Sequence, residues 1–378
     1  MKRTSFIHML LLLLVLSLAG AAGQRGTAQE MQAVQERQTA QEMQTAQERH
    51  TAQEMQAAQE MQAVQERQTV QEHLAAQERV EPIPFGDMER WAVRYIKESA
   101  LLGGQTKEIY VLAPTDTLRE NKAFDFSQTI WGISNAYANV VGVAKGAYST
   151  LPERREDGRG GHWCARLEAR METVRVLGLV DIKVAIAGAL FLGEVFEPVR
   201  SANDPYGSVS YGIPFTKRPK ALLFDVKAKV SEEQTLTKAL GMGSSQVEGH
   251  DEPQIYLYLQ KRWEDKNGRI YAKRVGTGFV RFSKSIPNWH NDYRVEIQYG
   301  DLSQHPDLND YNAIPSATRD EYRSKNSQGK LKTVNEIGWA DPDEAPTHIM
   351  LLFSAGCHSA FYAHLGNALW IDNVRLVY

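Results

Sequence analysis

The chain has 378 residues, a formal net charge of −3, 42% apolar and 24% charged side chains, and two cysteines. Two cysteines exclude a disulfide-rich scaffold. Residues 80–378 carry only −1, because Lys2, Arg3 and Arg25 offset part of the nine Glu against four Arg in residues 28–79. That near-neutral balance gives no reason to seek nucleic acid.

Residues 1–22 read as a secretory signal peptide. Met1-Lys2-Arg3 supplies the basic start, Met9 to Leu18 the short apolar run, and Ala19-Gly20-Ala21-Ala22 the small residues at the cut. The run is too short for a membrane-spanning helix. No cysteine follows Leu18-Ala19-Gly20, so the expectation is an exported protein without a lipid anchor, in the periplasm or at the cell surface.

Residues 23–81 form a stalk built on a six-residue repeat, in which Gln-Glu recurs from Gln29-Glu30 to Gln77-Glu78. The residues are good helix formers, yet six steps of about 100° turn the pattern by roughly 240°. Val34, Val64 and Val70 therefore never align as a stripe. The expectation is a solvated helix or a disordered tether rather than a coiled coil.

Pro82 and Pro84 close the stalk, and residues 82–378 form the folded domain. Asp87 is placed to cap a helix in which Met88, Trp91, Ala92, Tyr95 and Ile96 share a face, ended by Gly103-Gly104. After it the pattern is β. Ile109–Leu112 is a short strand, and Ala165 to Thr173 alternates apolar and charged residues. Val184 to Leu192 reads as one strand buried on both faces, and Phe224 to Val230 as a strand with Asp225, Lys227 and Lys229 on a wet face. Between them lies a loop rich in turn formers. Strands follow at Ile255–Gln260, at Arg269–Ala272 after the Lys266-Asn267-Gly268 hairpin and then at Gly278–Phe282, at Tyr293–Tyr299, at Ile349–Phe353 and at Leu369–Tyr378. The fold class is all-β: a jelly-roll β-sandwich with one short N-terminal amphipathic helix.

Several segments now resemble a known family. They are Trp91-x-x-Arg94-x-x-Lys97-Glu98-Ser99, Gly103-Gly104, Ala187 to Gly193, Gly212-Ile213-Pro214-Phe215-Thr216-x-Arg218-Pro219 and the closing Trp370 to Tyr378. Together they resemble the PCMD (putative carbohydrate metabolism domain) family of exported proteins from gut-type Gram-negative bacteria. The resemblance spans residues 82–378 and implies a jelly roll similar to carbohydrate-binding modules. Family members often carry a lipid-attachment cysteine, which is missing here. The resemblance supplies no catalytic residues.

A sugar-binding sandwich needs flat aromatic faces flanked by hydrogen-bonding groups. Trp131, Trp289 and Trp339 stand in loop-like polar contexts, and Tyr206 and Tyr211 join them as candidate carbohydrate-binding residues. Burial is the competing reading for each. A glycosidase instead needs two carboxylates, about 5–5.5 Å apart when retaining and 6.5–9.5 Å when inverting. Asp341, Asp343 and Glu344, or Glu194 and Glu197, are the candidates. Calcium is the candidate ion, at Asp341, Asp343 and Asp372. Cys164 and Cys357 are a candidate disulfide, with two buried thiols the equal alternative. His358 and His364, six apart, match no zinc spacing. The expected function is non-catalytic glycan binding in polysaccharide capture, with a glycan as partner, no nucleic acid, and no membrane span. Glycoside hydrolysis and an adhesive envelope role are the alternatives.

Overall fold

The computed structural model describes residues 27–75, 78–157, 159, 161–176, 180–201, 204, 206–306, 308, 313–314 and 322–378. The expected signal peptide, residues 1–22, lies outside the described residues. Two compact units divide the chain, residues 1–77 and 78–378.

In the first unit, Thr27–Ala75 is a single helix. Thr39, Thr45 and Thr51 turn their hydroxyls onto the carbonyls four residues back, at 2.8, 2.8 and 2.9 Å. Met43, Met55 and Met61 are largely exposed, as expected for a repeat without an apolar face. Of the helical and disordered readings of the stalk, the helical one matches this segment. Among the described residues no helix is long and apolar enough to cross a membrane.

In the second unit two large sheets form a β-sandwich, accompanied by three smaller sheets. The first sheet runs Leu240–Met242, Val180–Ala187, Trp163–Val176, Ala368–Val377, Ala221–Lys229, Ile286–Glu296, with Val80–Pro82 and Thr150–Arg154 joining it. The second runs Val209–Tyr211, Ala189–Val195, His348–Ser354, Gln254–Glu264, Ile270–Arg281, Leu331–Trp339, Arg323–Lys325. Within the second sheet, Ile270–Arg281 and Leu331–Trp339 pair in parallel. Period-two alternation supplies the core: Leu222, Phe224, Val226, Leu369 and Ile371 from one sheet meet Ile255, Leu257, Ile349 and Phe353 from the other. Phe224 and Phe353 touch edge to face across the layers, 5.6 Å between centroids.

Three sequence expectations change. The helix expected from Met88 is a strand, Trp91–Lys97, paired antiparallel with Thr106–Leu112. Met88 has φ 52°, outside the helical region, and Ala92, Arg94 and Ile96 are the buried row of a period-two face. Apolar residues at helical spacing coincided with an equally good strand pattern, and the long-range pairing decided between them.

The apolar run Val184–Leu192 is two strands in different sheets, Val180–Ala187 and Ala189–Val195. Gly188 makes the crossing: a Cβ there would lie 2.4 Å from Ser149 O and 2.5 Å from Glu168 N. Asp225 is not on a wet face. It is 1% exposed and reaches Arg155 Nη1 at 2.7 Å.

Candidate functional site

A cleft of about 360 Å³ is lined by residues of both sheets. Its size is at the low end of ligand clefts, which span about 300–1,000 Å³. One wall is Val184–Ala187, from the first sheet; the other is the outward face of the second sheet, including Tyr256, Phe279 and Leu352. This explains the apolar excess of the Val184 run: Val184, Ile186 and Ala187 are half-buried because they line the cleft rather than the core. Gly188 positions both walls, since it sends the chain from one sheet to the other.

Two of the five predicted carbohydrate-binding residues meet here. Tyr206 and Tyr211 both line the cleft. The Tyr206 hydroxyl accepts from Ala360 N at 3.2 Å and so ties its loop to the 356–362 loop opposite. Tyr211 lies on Phe191, 4.7 Å between centroids. Tyr256, Tyr322 and Tyr362 complete an aromatic lining that sequence reasoning missed. The signal was available: the outward face of Gln254–Glu264 carries Tyr256 and Tyr258 where a solvated strand would carry charge. Those rings stack at 4.8 Å and 15°, and the Arg274 guanidinium covers Tyr258 at 3.6 Å. Ser208 and Gln254 bring polar groups to the lining, whereas the Ser134 hydroxyl accepts from Ala189 N at 2.9 Å and the Ser354 hydroxyl donates to Gly356 O at 2.7 Å. The Gln254 Oε1 accepts from Arg281 Nη2 at 2.9 Å, which orients the amide.

The other three predicted residues lie elsewhere. Trp131 is wholly buried, its Nε1 donating to Pro84 O at 2.7 Å, so it anchors the core and offers no face to a sugar. Trp289 is half-buried under the Arg155 guanidinium at 4.3 Å, and Trp339 has Arg274 at 5.6 Å. Neither is part of the cleft lining.

The acidic candidates also separate. Glu197 is buried in a two-point pair with Arg94, Oε1 to Nη1 at 2.9 Å and Oε2 to Nη2 at 2.6 Å. Glu194 pairs with Lys325 at 2.6 Å. Asp341 and Asp343 are exposed, and Glu344 reaches Lys261 at 2.8 Å. Arg218 donates to the Pro342 and Glu344 carbonyls and so holds this loop by its backbone.

Asp372 is fully buried, and its partner is Arg155 Nη1 at 2.7 Å rather than an ion. Burial pushes the Asp372 carboxyl up to about 7, against the lowering effect of Arg155. It shares Trp370's outward face, but Asn373, at φ 50°, inserts an extra residue against the neighbouring strand and returns Val374 and Leu376 to the core. Asp341, Asp343 and Asp372 thus do not assemble as a calcium site. Among the described residues, Asp251, Cys357 and His358 are the group of three that brings ligand atoms together.

Of the two readings of Cys164 and Cys357, the structure has the second: both thiols are free and buried, with no disulfide between them. Cys164 Sγ contacts Glu153 O at 3.4 Å on the first sheet, whereas Cys357 lies on the cleft wall. Burial raises Cys164 to about 12 and Cys357 to about 11, so both are protonated thiols at neutral pH.

No curated protein matches the chain. Among the solved structures similar to it are two from Bacteroides species. One is a putative glycoside hydrolase from Bacteroides thetaiotaomicron VPI-5482, 18% identical over 76% of this chain and 71% of that chain, with a TM-score of 0.41. The other is a putative glycoside hydrolase from Bacteroides vulgatus ATCC 8482, 14% identical over 79% of this chain and 94% of that chain, with a TM-score of 0.38. No residue role is carried over from either. The family model described as "Putative carbohydrate metabolism domain" matches residues 107–377, which takes in the crossing at Gly188, both cleft walls and the closing strand. The chain belongs to this PCMD family.

Proposed function

We propose that the protein is an exported, non-catalytic glycan-binding module that serves polysaccharide capture at the envelope of a Gram-negative bacterium. One observation carries the reading: the described cleft lining is tyrosine-rich, holds hydroxyl and amide groups, and contains no Asp, Glu, Lys or Arg. Aromatic faces suit the C–H surfaces of sugar rings, and serine and glutamine suit their hydroxyls. Hydrolysis through a carboxylate pair has no such pair in that lining, and the acidic candidates elsewhere are exposed or committed to cationic or backbone partners. A carbohydrate-related role accords with the family.

Glycan arrays followed by calorimetry test this. Binding is expected to weaken about tenfold or more, roughly 1.4 kcal/mol, in Tyr206→Ala and in Tyr256→Ala. Trp289→Ala, outside the cleft, should bind as the wild type does. A folded protein that binds no glycan across broad arrays overturns the proposal. Release of shortened glycan during the incubation would move the assignment to hydrolysis.

A further inference from the structure

We propose that Asp251, Cys357 and His358 form a binding site for a zinc-class divalent cation on the wall of the cleft. Their ligand atoms all lie within 4.8 Å of one another, and Cys357 and His358 line the cleft directly. In the sequence, His358 and His364 have no zinc-ligand spacing. The fold instead sets His358 beside Cys357 and brings in Asp251 from 106 residues earlier.

Three features point to a cation. His358 Nε2 lies 2.9 Å from His250 O. A carbonyl only accepts, so Nε2 carries a proton, and in the neutral ring Nδ1 is the nitrogen with the lone pair. Metal-binding histidines are oriented by this same outer hydrogen bond. Asp251 is 1% exposed, yet among the described residues no cationic side chain pairs with it. Its Oδ1 accepts from Cys357 N at 2.8 Å and its Oδ2 from His364 N at 2.9 Å. Each carboxylate oxygen has a further lone pair, and a buried carboxylate without counter-charge is costly. Beside it, the buried Nδ1 of His364 has no hydrogen-bond partner.

The donor set selects the metal. Thiolate, imidazole and carboxylate together suit zinc or cobalt, whereas calcium and magnesium take oxygen ligands. Binding replaces the Cys357 thiol proton with a metal–sulfur bond and releases that proton to solvent, with no change of oxidation state. Three protein ligands leave the fourth position of a tetrahedral ion to water or to a hydroxyl in the cleft.

The test is a cobalt titration of the reduced full-length protein without glycan, so it reads the metal site whether or not the cleft takes a sugar. A saturable, stoichiometric thiolate-to-cobalt absorption band is expected, displaced by zinc and indifferent to excess calcium. The band should vanish in Cys357→Ser and persist in Cys164→Ser. His358→Gln, which keeps the thiol, should weaken binding about tenfold or more. It also decides the matter if Cys357→Ser fails to fold. No band in the folded wild type, or a band that survives Cys357→Ser, overturns the proposal, as does wild-type affinity in His358→Gln.

Discussion

Glu197 uses both carboxylate oxygens twice: the Arg94 pair, Phe124 N at 3.0 Å and Tyr137 N at 2.8 Å. Neither side chain of the ion pair is more than 1% exposed. Removing one partner of such a pair leaves a buried uncompensated charge, worth about 3–5 kcal/mol. Glu194 is three residues away in sequence, but its pair with Lys325 is partly solvated, with side chains 27% and 40% exposed. Exposed pairs contribute about 0–1 kcal/mol. Urea unfolding should therefore separate them: Glu197→Ala loses about 3–5 kcal/mol, and Glu194→Ala less than about 1 kcal/mol. Equal, small losses would show that Arg94 is satisfied without Glu197. Sequence spacing made these two residues look like a pair with one task. Arg94 lies 103 positions before Glu197, and nothing local to either residue announces their contact.

At the scale of elements, the crossing at Gly188 fixes both the sandwich and the cleft. Its N–H donates to Glu168 O at 2.8 Å while Glu168 N and Ser149 O sit where a side chain would begin. These obstacles are backbone atoms, so they cannot swing aside. Gly188→Ala should cost about 1–3 kcal/mol as overpacking and should also weaken glycan binding, because Ala187 and Ala189 line the cleft. A thermal melt and a binding isotherm on the same variant check this; an unchanged melting point would mean the chain can shift there freely. The strands were legible where alternation faced one core, as at Phe224, Val226 and Ala228, all buried. They were misread where one pattern served two geometries. Val184–Leu192 is apolar throughout, so periodicity could not reveal the break, and Trp91–Ile96 fits both a helical and a strand period. In each case pairing partners distant in sequence made the choice.

Across the whole molecule, composition marked the change from repeat to sandwich, since it needs no knowledge of contacts. The cleft was legible only in part. Its lining is drawn from segments scattered between Ile133 and Tyr362, so Tyr206 and Tyr211 were visible as loop aromatics while Tyr256, Tyr322 and Tyr362 were not. The repeat makes the opposite case, being entirely local. Thr27–Ala75 has no apolar stripe to bury, and a helix of that kind gains stability only from its own turns, which are marginal in water. The sandwich, by contrast, closes its own core within residues 78–378, including the contact of Glu78 with Arg294 Nη1 at 2.9 Å. Deleting residues 27–77 should therefore leave the sandwich's urea unfolding free energy within about 0.5 kcal/mol of the parent, the range of surface changes. In the full chain, far-ultraviolet circular dichroism should show helix lost gradually on heating, ahead of one cooperative β transition. A deletion that lowers the sandwich's midpoint, or a helix that melts only together with the sheets, would mean that the repeat takes part in the stability of the domain.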